Sequence, residues 1–406
     1  MKNLLLIAVI ICLFGGLLVL TPKQTSDEVV FWTLQLGTFN DYMRSLIYEF
    51  EEQNPGIKIK WVDVPYSEGE KRTLASILSN TPPDLVNLTP DFSSVLAQKQ
   101  ALEFLDCKQL TAYNAEIVND LKYQGKCYAI PFYATSSLTF YNKELLKKSG
   151  FGKLPVTYDD LNAWAETIKS KTGVFATMPT VAENDTMLKI LNKYDINTPD
   201  TLASEKSAKI FSDYKTLYQK NLIPKESITQ THREALEKYM SGQLVFIQSG
   251  ANFLNIVQEN APQVFKQTDV TNQLVGDTGK YDVSIMNLVI PAKARHKDGA
   301  LRFALFLTNK ENQLELARLT TILPVNKEAL NDPYFTLADE NDVISKARKI
   351  SASQLNNLES QVQFERNRKE FLTILNTAVQ QILLDEADLK KTLEKTADNW
   401  RTLVQK

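Results

Sequence analysis

Along the first hundred positions the spacing of apolar residues changes period repeatedly. Residues 29–34 (VVFWTL) are β-branched and aromatic, predicting a strand. Met43, Leu46, Ile47 and Phe50 then recur at the three-and-four spacing of one helix face behind a candidate Asn40 cap, predicting an amphipathic helix over 41–53. Pro55 cannot supply the next helical N–H and pushes Asn54 out of the α region, while Gly56 permits a tight turn. At once Ile57, Ile59 and Trp61 alternate with Lys58 and Lys60, before Val62 and Val64 shift the phase of a second strand. A strand, a helix and a strand in this order predict two parallel strands joined by a right-handed crossover, the building unit of an open α/β sheet. The unit continues with a helix over 68–80, a short strand at 84–88 (DLVNL) and a helix over 91–99.

The segment 126–146 (KCYAIPFYATSSLTFYNKELL) departs from this order. It offers two extended runs separated only by Thr135, Ser136 and Ser137, with no helix to cross over, which predicts a chain passing from one sheet to another. Helical periodicity then dominates 158–171, 204–221 and 233–242, where Gly242 suits a left-handed helix end. A strand, a Ser-Gly turn and a helix follow over 243–260, an extended run over 281–293, two helices broken near Asn309, and long helices near 366–384 and 387–404. A chain of 406 residues exceeds the size at which one core keeps growing, so two lobes are expected. With no tandem repeat and no low-complexity linker, the lobes interleave along the chain. The expected division is 1–27 as a signal peptide or signal anchor, 28–131 plus 283–322 as the N-terminal lobe, and 132–282 plus 323–406 as the C-terminal lobe.

The N-terminal segment places one early lysine before an unbroken apolar run from Leu4 to Leu20, the pattern read by the export machinery. It lacks an Ala-x-Ala cleavage site, and Cys12 follows Val9, Ile10 and Ile11, too early and too bulky for a lipoprotein signal. Cleavage and retention as an uncleaved anchor both stay open; retention would put residues 4–20 in contact with the membrane. A buried core helix is the competing reading. Export leaves Cys107 and Cys127 as an even pair in an oxidising compartment, predicting a disulfide, with two free buried thiols as the alternative. No Cys-x-x-Cys spacing supports a redox role. A net charge of −2 supplies no basic field for nucleic acid.

Several blocks, in this order and spacing, resemble the extracellular solute-binding proteins of carbohydrate ABC transporters, related to the maltose-binding protein. They are VVFW, YEFEEQNPGIKIKWV, PPDLVNLTPDFSSVLAQKQALEFLD, GKCYAIPFYATSSLTFYNKELLKKSGF, YMSGQLVFIQSGANFLNIVQENAP and NLVIPAKARHKDGALRFALFLTNKENQ with ILPVNKEAL. The resemblance runs from about residue 28 to the C-terminus. It implies an α/β fold of the two-lobed periplasmic-binding-protein kind, with discontinuous lobes joined by strand crossovers. It also implies a carbohydrate held in the cleft, delivery to ABC permease subunits, location in the periplasm or on the outer face of the cytoplasmic membrane, and a monomer. The chain departs from many sugar binders after the first strand, where acidic or arginine positions are here Thr33, Gln35 and Thr38.

Strand carboxyl ends in the first lobe deliver Trp32, Thr33 and Gln35, then Tyr66, then Thr89 and Asp91. Aromatic faces with hydroxyl, amide and carboxylate groups suit a neutral polyol. For Trp32 a core role competes, for Tyr66 a solvated loop, and for Asp91 a helix cap. The crossing segment adds Phe132 and Tyr133, and Asn287 lies in the late extended run. In the second lobe Ser249 and Gly250 open a helix whose N–H groups can donate to a ligand. Asn252 and Phe253 carry over from the family's aromatic-bearing helix start, against an ordinary cap and core Phe; Gln363 and Phe364 match its cleft-closing region loosely. No metal site and no cofactor is expected. The two histidines, His232 and His296, are flanked by charge, and no zinc-protease, nucleophile-elbow or phosphate-loop pattern occurs. A glycosidase needs only two carboxylates, so it stays as an alternative, beside a membrane-anchored sugar-sensing receptor without transport.

Overall fold

The computed structural model describes residues 28–360, 362 and 367–405. The expectations for residues 1–27, including the apolar run 4–20, therefore fall outside the described residues. Strand β1 (Glu28–Leu34), helix α1 (Asn40–Gln53) and strand β2 (Lys58–Val64) form the first unit. Helix α1 buries Tyr42, Met43, Leu46 and Phe50. Gly56 takes a φ of +105°, a conformation that L side chains rarely adopt, which lets the chain turn from helix into strand between Gln53 and Lys58. Helix α2 (Tyr66–Leu78), strand β3 (Leu85–Leu88) and helix α3 (Pro90–Gln98) complete the repeat. Strand β1 runs parallel to both neighbours, with Trp32 opposite Val62 on one side and Val86 on the other.

Four more strands close the sheet: β4 (Ile130–Asn142), β5 (Phe246–Gly250), β6 (Thr268–Thr271) and β7 (Val283–Val289). The order is β2-β1-β3-β7-β4-β5, with β6 also on β4. The two extended runs predicted around Thr135–Ser137 are one unbroken strand. Its early residues pair antiparallel with β7, ending at Ser136 opposite Val283. From Ser137, opposite Gly250, it pairs with β5 and then also with β6. The Thr-Ser-Ser stretch thus marks a change of partners, because its backbone stays extended while the neighbouring strands diverge.

Separate apolar cores lie on the two sides of this crossing. The first gathers Phe31, Phe50, Leu85, Ile130, Leu288 and Phe303, and it takes in Leu323, Val325 and Phe335 as well. Phe303 meets Phe31 and Phe50 edge-on, at centroid distances of 5.4 and 4.9 Å. The second is helical and includes Trp164, Leu191, Phe211, Val379 and Trp400. A smaller cluster around Phe140, Tyr239 and Phe253 packs beside it against the late half of β4. Helix α4 (Arg368–Leu383) belongs to the second core through Phe371, Leu375 and Val379.

A buried polar network ties the crossing segments together. Lys193 is fully buried, and its ammonium donates to Gln273 Oε1 at 2.8 Å and to the Lys280 carbonyl at 3.2 Å, and pairs with Asp282 at 3.1 Å. Those three acceptors match its three donors. Gln354 donates to the carbonyl of Ser137 at 3.0 Å and accepts from the Gln273 N–H at 3.2 Å. Gly276 permits the contact, since a Cβ there would sit 2.5 Å from the Lys193 carbonyl.

Cys107 and Cys127 are joined, with Cα atoms 5.5 Å apart and a sequence separation of 20. In the chain-entropy account, closing a loop of this size stabilises by about 3 kcal/mol. The double substitution of Cys107 and Cys127 by serine is expected to lower unfolding free energy by about that amount in urea titrations. Truncation of Lys193 to alanine, which leaves the Asp282 carboxylate without its cation and opens a void in the crossing network, is expected to cost about 3 kcal/mol in the same assay.

Candidate functional site

The strand directions bring one set of loops together. Strands β1, β2 and β3 are parallel, so their carboxyl ends share an edge of the sheet. Strand β7 is antiparallel to β3, which puts its amino end, Val283 and Ser284, on that edge. Strand β4 reaches the same edge at Thr135 and Ser136, opposite Ser284 and Val283. From the other lobe β5 arrives antiparallel, its end Gly250 opposite Ser137. The loops after β1, β2, β3 and β5 therefore converge on the middle of β4, where open α/β sheets hold ligands.

Of the residues expected at the site, Gln35, Tyr66, Thr89, Asp91, Tyr133, Ser249, Gly250 and Asn252 lie on these loops and strand ends with some or all of the residue accessible. Trp32 is half-buried and packs on the first core. Tyr66, 55% exposed, opens α2. The loop after β1 is held by Asp63, whose carboxylate accepts from the N–H groups of Leu36 and Gly37, both at 2.8 Å. Thr89 caps α3 by accepting from the Phe92 N–H. Ser249 lies 3.3 Å from His232 Nε2. Four expected residues are fully or almost fully buried, and the reason differs for each. The Thr33 hydroxyl donates to Asp63 and accepts from Trp61 Nε1, each at 2.7 Å. Phe132 points into the first core, and Phe253 sits edge-on to Phe140 and Tyr239. Asn287 donates to Ser93 Oγ at 2.8 Å inside the sheet. Gln363 and Phe364 lie outside the described residues.

A pocket lies against the first core, with Asp91, Ile117, Asp120, Tyr128, Val283 and Glu359 in its wall. A second pocket of about 400 Å³ shares Val283 and Glu359 and extends to Lys189, Asn192, Ser284 and Arg368. Burial raises the carboxyl groups of Asp91, Asp120 and Glu359 above their ordinary values. Asp185 goes the other way: although burial opposes it, Lys189 and Arg368 hold its carboxyl below the usual range. Burial pushes Tyr133 up to about 12, with Tyr66 and Asp63 adding to the shift, so its phenol stays a hydrogen-bond donor at neutral pH. Tyr66 is within electrostatic reach of both Tyr133 and Asp91, so two phenols and a carboxylate lie near one another at these strand ends.

Sequence reasoning missed several residues here. Thr135 is exposed in mid-strand directly opposite exposed Ser284, and its signal was the alternation of Tyr133, Thr135 and Ser137 within β4. Glu359, Asp185 and Arg368 carry no local signal, since they reach the cleft from distant segments. His232 and Ser249 do not extend to a triad, because Glu183 accepts from the backbone N–H of His232 and not from its ring. Among the described residues no three His, Cys, Asp or Glu side chains could hold a metal ion.

A two-lobed α/β fold whose strand ends meet across a shared strand, around a polar and aromatic gap, defines a cleft-type binding protein. The chain belongs to the bacterial extracellular solute-binding protein family, whose model matches residues 45–342. A candidate oligosaccharide periplasmic-binding protein from Synechococcus sp. MITs9220 superimposes with a TM-score of 0.82 at 28% identity, covering 92% of this chain and 98% of that one. The sugar-binding protein MalE from Xanthomonas citri gives a TM-score of 0.76 at 18% identity, covering 93% and 97%. The diacetylchitobiose-binding protein DasA of Streptomyces coelicolor is 21% identical over 75% of this chain and 74% of its own length.

The opposite shifts of two neighbouring carboxyls give a test. Asp185, held low, contributes stability that is present above its unfolded value of about 3.9 and lost as pH falls through its lower folded value. Asp91, held high, is more costly to ionise in the folded protein. Asp185→Asn is expected to lower the melting temperature at pH 7, the deficit shrinking as pH falls through the lowered folded value. Asp91→Asn is expected to leave the melting temperature unchanged or higher at pH 7. Thermal melts across pH distinguish the two.

Proposed function

We propose that the protein is the extracytoplasmic substrate-binding component of an ABC importer, holding a sugar or related polyol in the inter-lobe cleft and passing it to a membrane permease. The observation that carries this reading is the meeting of strand ends from both lobes at the middle of β4, where Thr135 stands opposite Ser284 and Tyr66 is within electrostatic reach of both Tyr133 and Asp91. Ring faces stack on the C–H surface of a sugar while carboxylates and hydroxyls take its O–H groups. Relatives named for sugars, among them DasA and MalE, support the ligand class. A ligand that touches both lobes favours the closed arrangement by its differential affinity, and closure is what a permease can recognise. We assign no turnover to the cleft. Export would run through residues 1–27, which either leave or tether the protein by residues 4–20. Among the described residues no helix is long and apolar enough to cross a membrane. We divide the lobes near 136/137, later than 131/132, and at 282/283, and extend the returning part of the first lobe past 322, because Phe132 and Ala134 as well as Leu323, Val325 and Phe335 join the first core.

A thermal-shift screen over sugars and polyols, followed by calorimetry, tests the reading. One or more is expected to stabilise, since a ligand at a hundred times its dissociation constant adds about 2.7 kcal/mol. Substitution of Tyr66, Tyr133 or Trp32 by alanine is expected to weaken that ligand by about 1 kcal/mol or more. Chromatography of the recovered ligand should show it intact. A cleaved product would move the protein to the glycosidases, and silence across the panel would remove the sugar assignment.

A further inference from the structure

Arg368 stands where local rules disfavour a cation, at the first position of α4, with Lys369 beside it in the same turn. The amino end of a helix carries partial positive charge, so two cations there are destabilising unless something outside the helix offsets them. Something does. The Arg368 guanidinium pairs through Nε with Asp91 at 3.0 Å and through Nη2 with Asp185 at 2.8 Å. Asp91 lies in the first turn of α3, on the first core, whereas Asp185 precedes a helix whose Met187 and Leu188 belong to the second core. One side chain therefore holds a carboxylate from each lobe. In the contact that joins the lobes the Arg368 side chain is 21% exposed and that of Asp91 42%, so its cation is screened less than that of the Lys369–Glu70 pair, also between lobes, where the lysine is 90% exposed.

We propose that Arg368 is a positioning residue for ligand capture, tying Asp91 to Asp185 across the cleft so that lobe closure and the orientation of Asp91 become one event. The proposal rests on the reading of the cleft as a sugar site. Its chemistry follows from the two ends of the contact. Arg368 Nε pairs with Asp91 Oδ2 at 3.0 Å, which holds the carboxylate in place as an acceptor for a ligand hydroxyl. Without the guanidinium, Asp91 and Asp185 would repel one another. Loss of Arg368 thus removes an attraction and exposes a repulsion between lobes. The charges that act on Asp91 are Arg368 and Asp185, together with Lys189 and Glu70, and Tyr66 and Tyr128 lie within reach of its own charge. Burial already raises the Asp91 carboxyl, and Arg368 opposes that rise, so removing Arg368 raises it further.

Two measurements on the full exported chain test this: small-angle scattering without ligand, and calorimetry from pH 5 to 8 with a sugar that the wild type binds. Arg368→Met is expected to enlarge the ligand-free radius of gyration and to weaken affinity by about tenfold or more. Its affinity should also begin to fall on acidification at a higher pH than in the wild type, a displacement that a merely structural arginine would not produce. Arg368→Lys, which supplies a point charge without the fork, should recover part of both. Lys369→Ala should change affinity less than about twofold. Identical scattering and an identical affinity profile in Arg368→Met and wild type would overturn the proposal. Should Arg368→Met fail to fold by circular dichroism, Asp185→Asn and Arg368→Lys decide by the same criteria. If no sugar binds the wild type, the sugar reading fails, and ligand-free scattering alone decides whether Arg368 joins the lobes.

Discussion

One strand sets the terms for the rest of the molecule. Ile130–Asn142 hydrogen-bonds to β7 in its first half and to β5 and β6 in its second, so two sheets with different cores are fixed to the same backbone. A one-residue slip in its register would turn every side chain to the opposite face. Tyr133 and Thr135 would then enter the core, and Ala134 and Ser136 would face the gap. The alternation that packs Phe140 and Leu138 inside is therefore the same alternation that aims Tyr133 and Thr135 at the cleft. Packing and the site are specified by a single pattern.

Around that strand the molecule concentrates its costly groups. Lys193 is buried with all three donors used, Asp91 sits where burial raises its carboxyl and Arg368 opposes the rise, and Arg368 opens a helix that disfavours it. Each is matched by partners from a distant part of the chain, which makes these interactions long-range couplings. Such groups contribute little net stability compared with the apolar cores. They do make the relative arrangement of the crossing segments depend on a small number of polar contacts, which suits lobes that must move.

The sequence was most informative where order is local. The repeated strand–helix units, the stop at Pro55 and Gly56, the break near Asn309 and the cysteine pair were all legible, because each depends on residues close together or on a simple count. Thr135 to Ser137 was legible as a crossing but not as a continuous strand, since three small hydroxylated residues look like a break when the partner strands are unknown. Among candidate site residues, exposed loop positions such as Tyr66 follow from the strand ends alone. Phe253 and Phe132 could not be told from core, because an aromatic at a strand or helix end satisfies either role until its neighbours, here Phe140 and Tyr239 for Phe253, are known. Arg368 was illegible because its partners are separated from it by much of the chain.

The disulfide has a consequence for where the protein becomes complete. Between its two cysteines lies the short helix Ala115–Asp120, whose Ile117 and Asp120 line the pocket beside Asp91, and Tyr128 of the same wall follows Cys127 directly. The bond thus braces a stretch of cleft lining from both ends. In a reducing cytoplasm this lining would depend on packing alone, through Leu110, Tyr113, Ile117 and Leu121, and it would gain its covalent frame only on meeting an oxidant outside. Passage out of the cell and final shaping of the cavity are thereby made successive steps of one maturation, so that a chain still inside would carry an unfinished receptor surface.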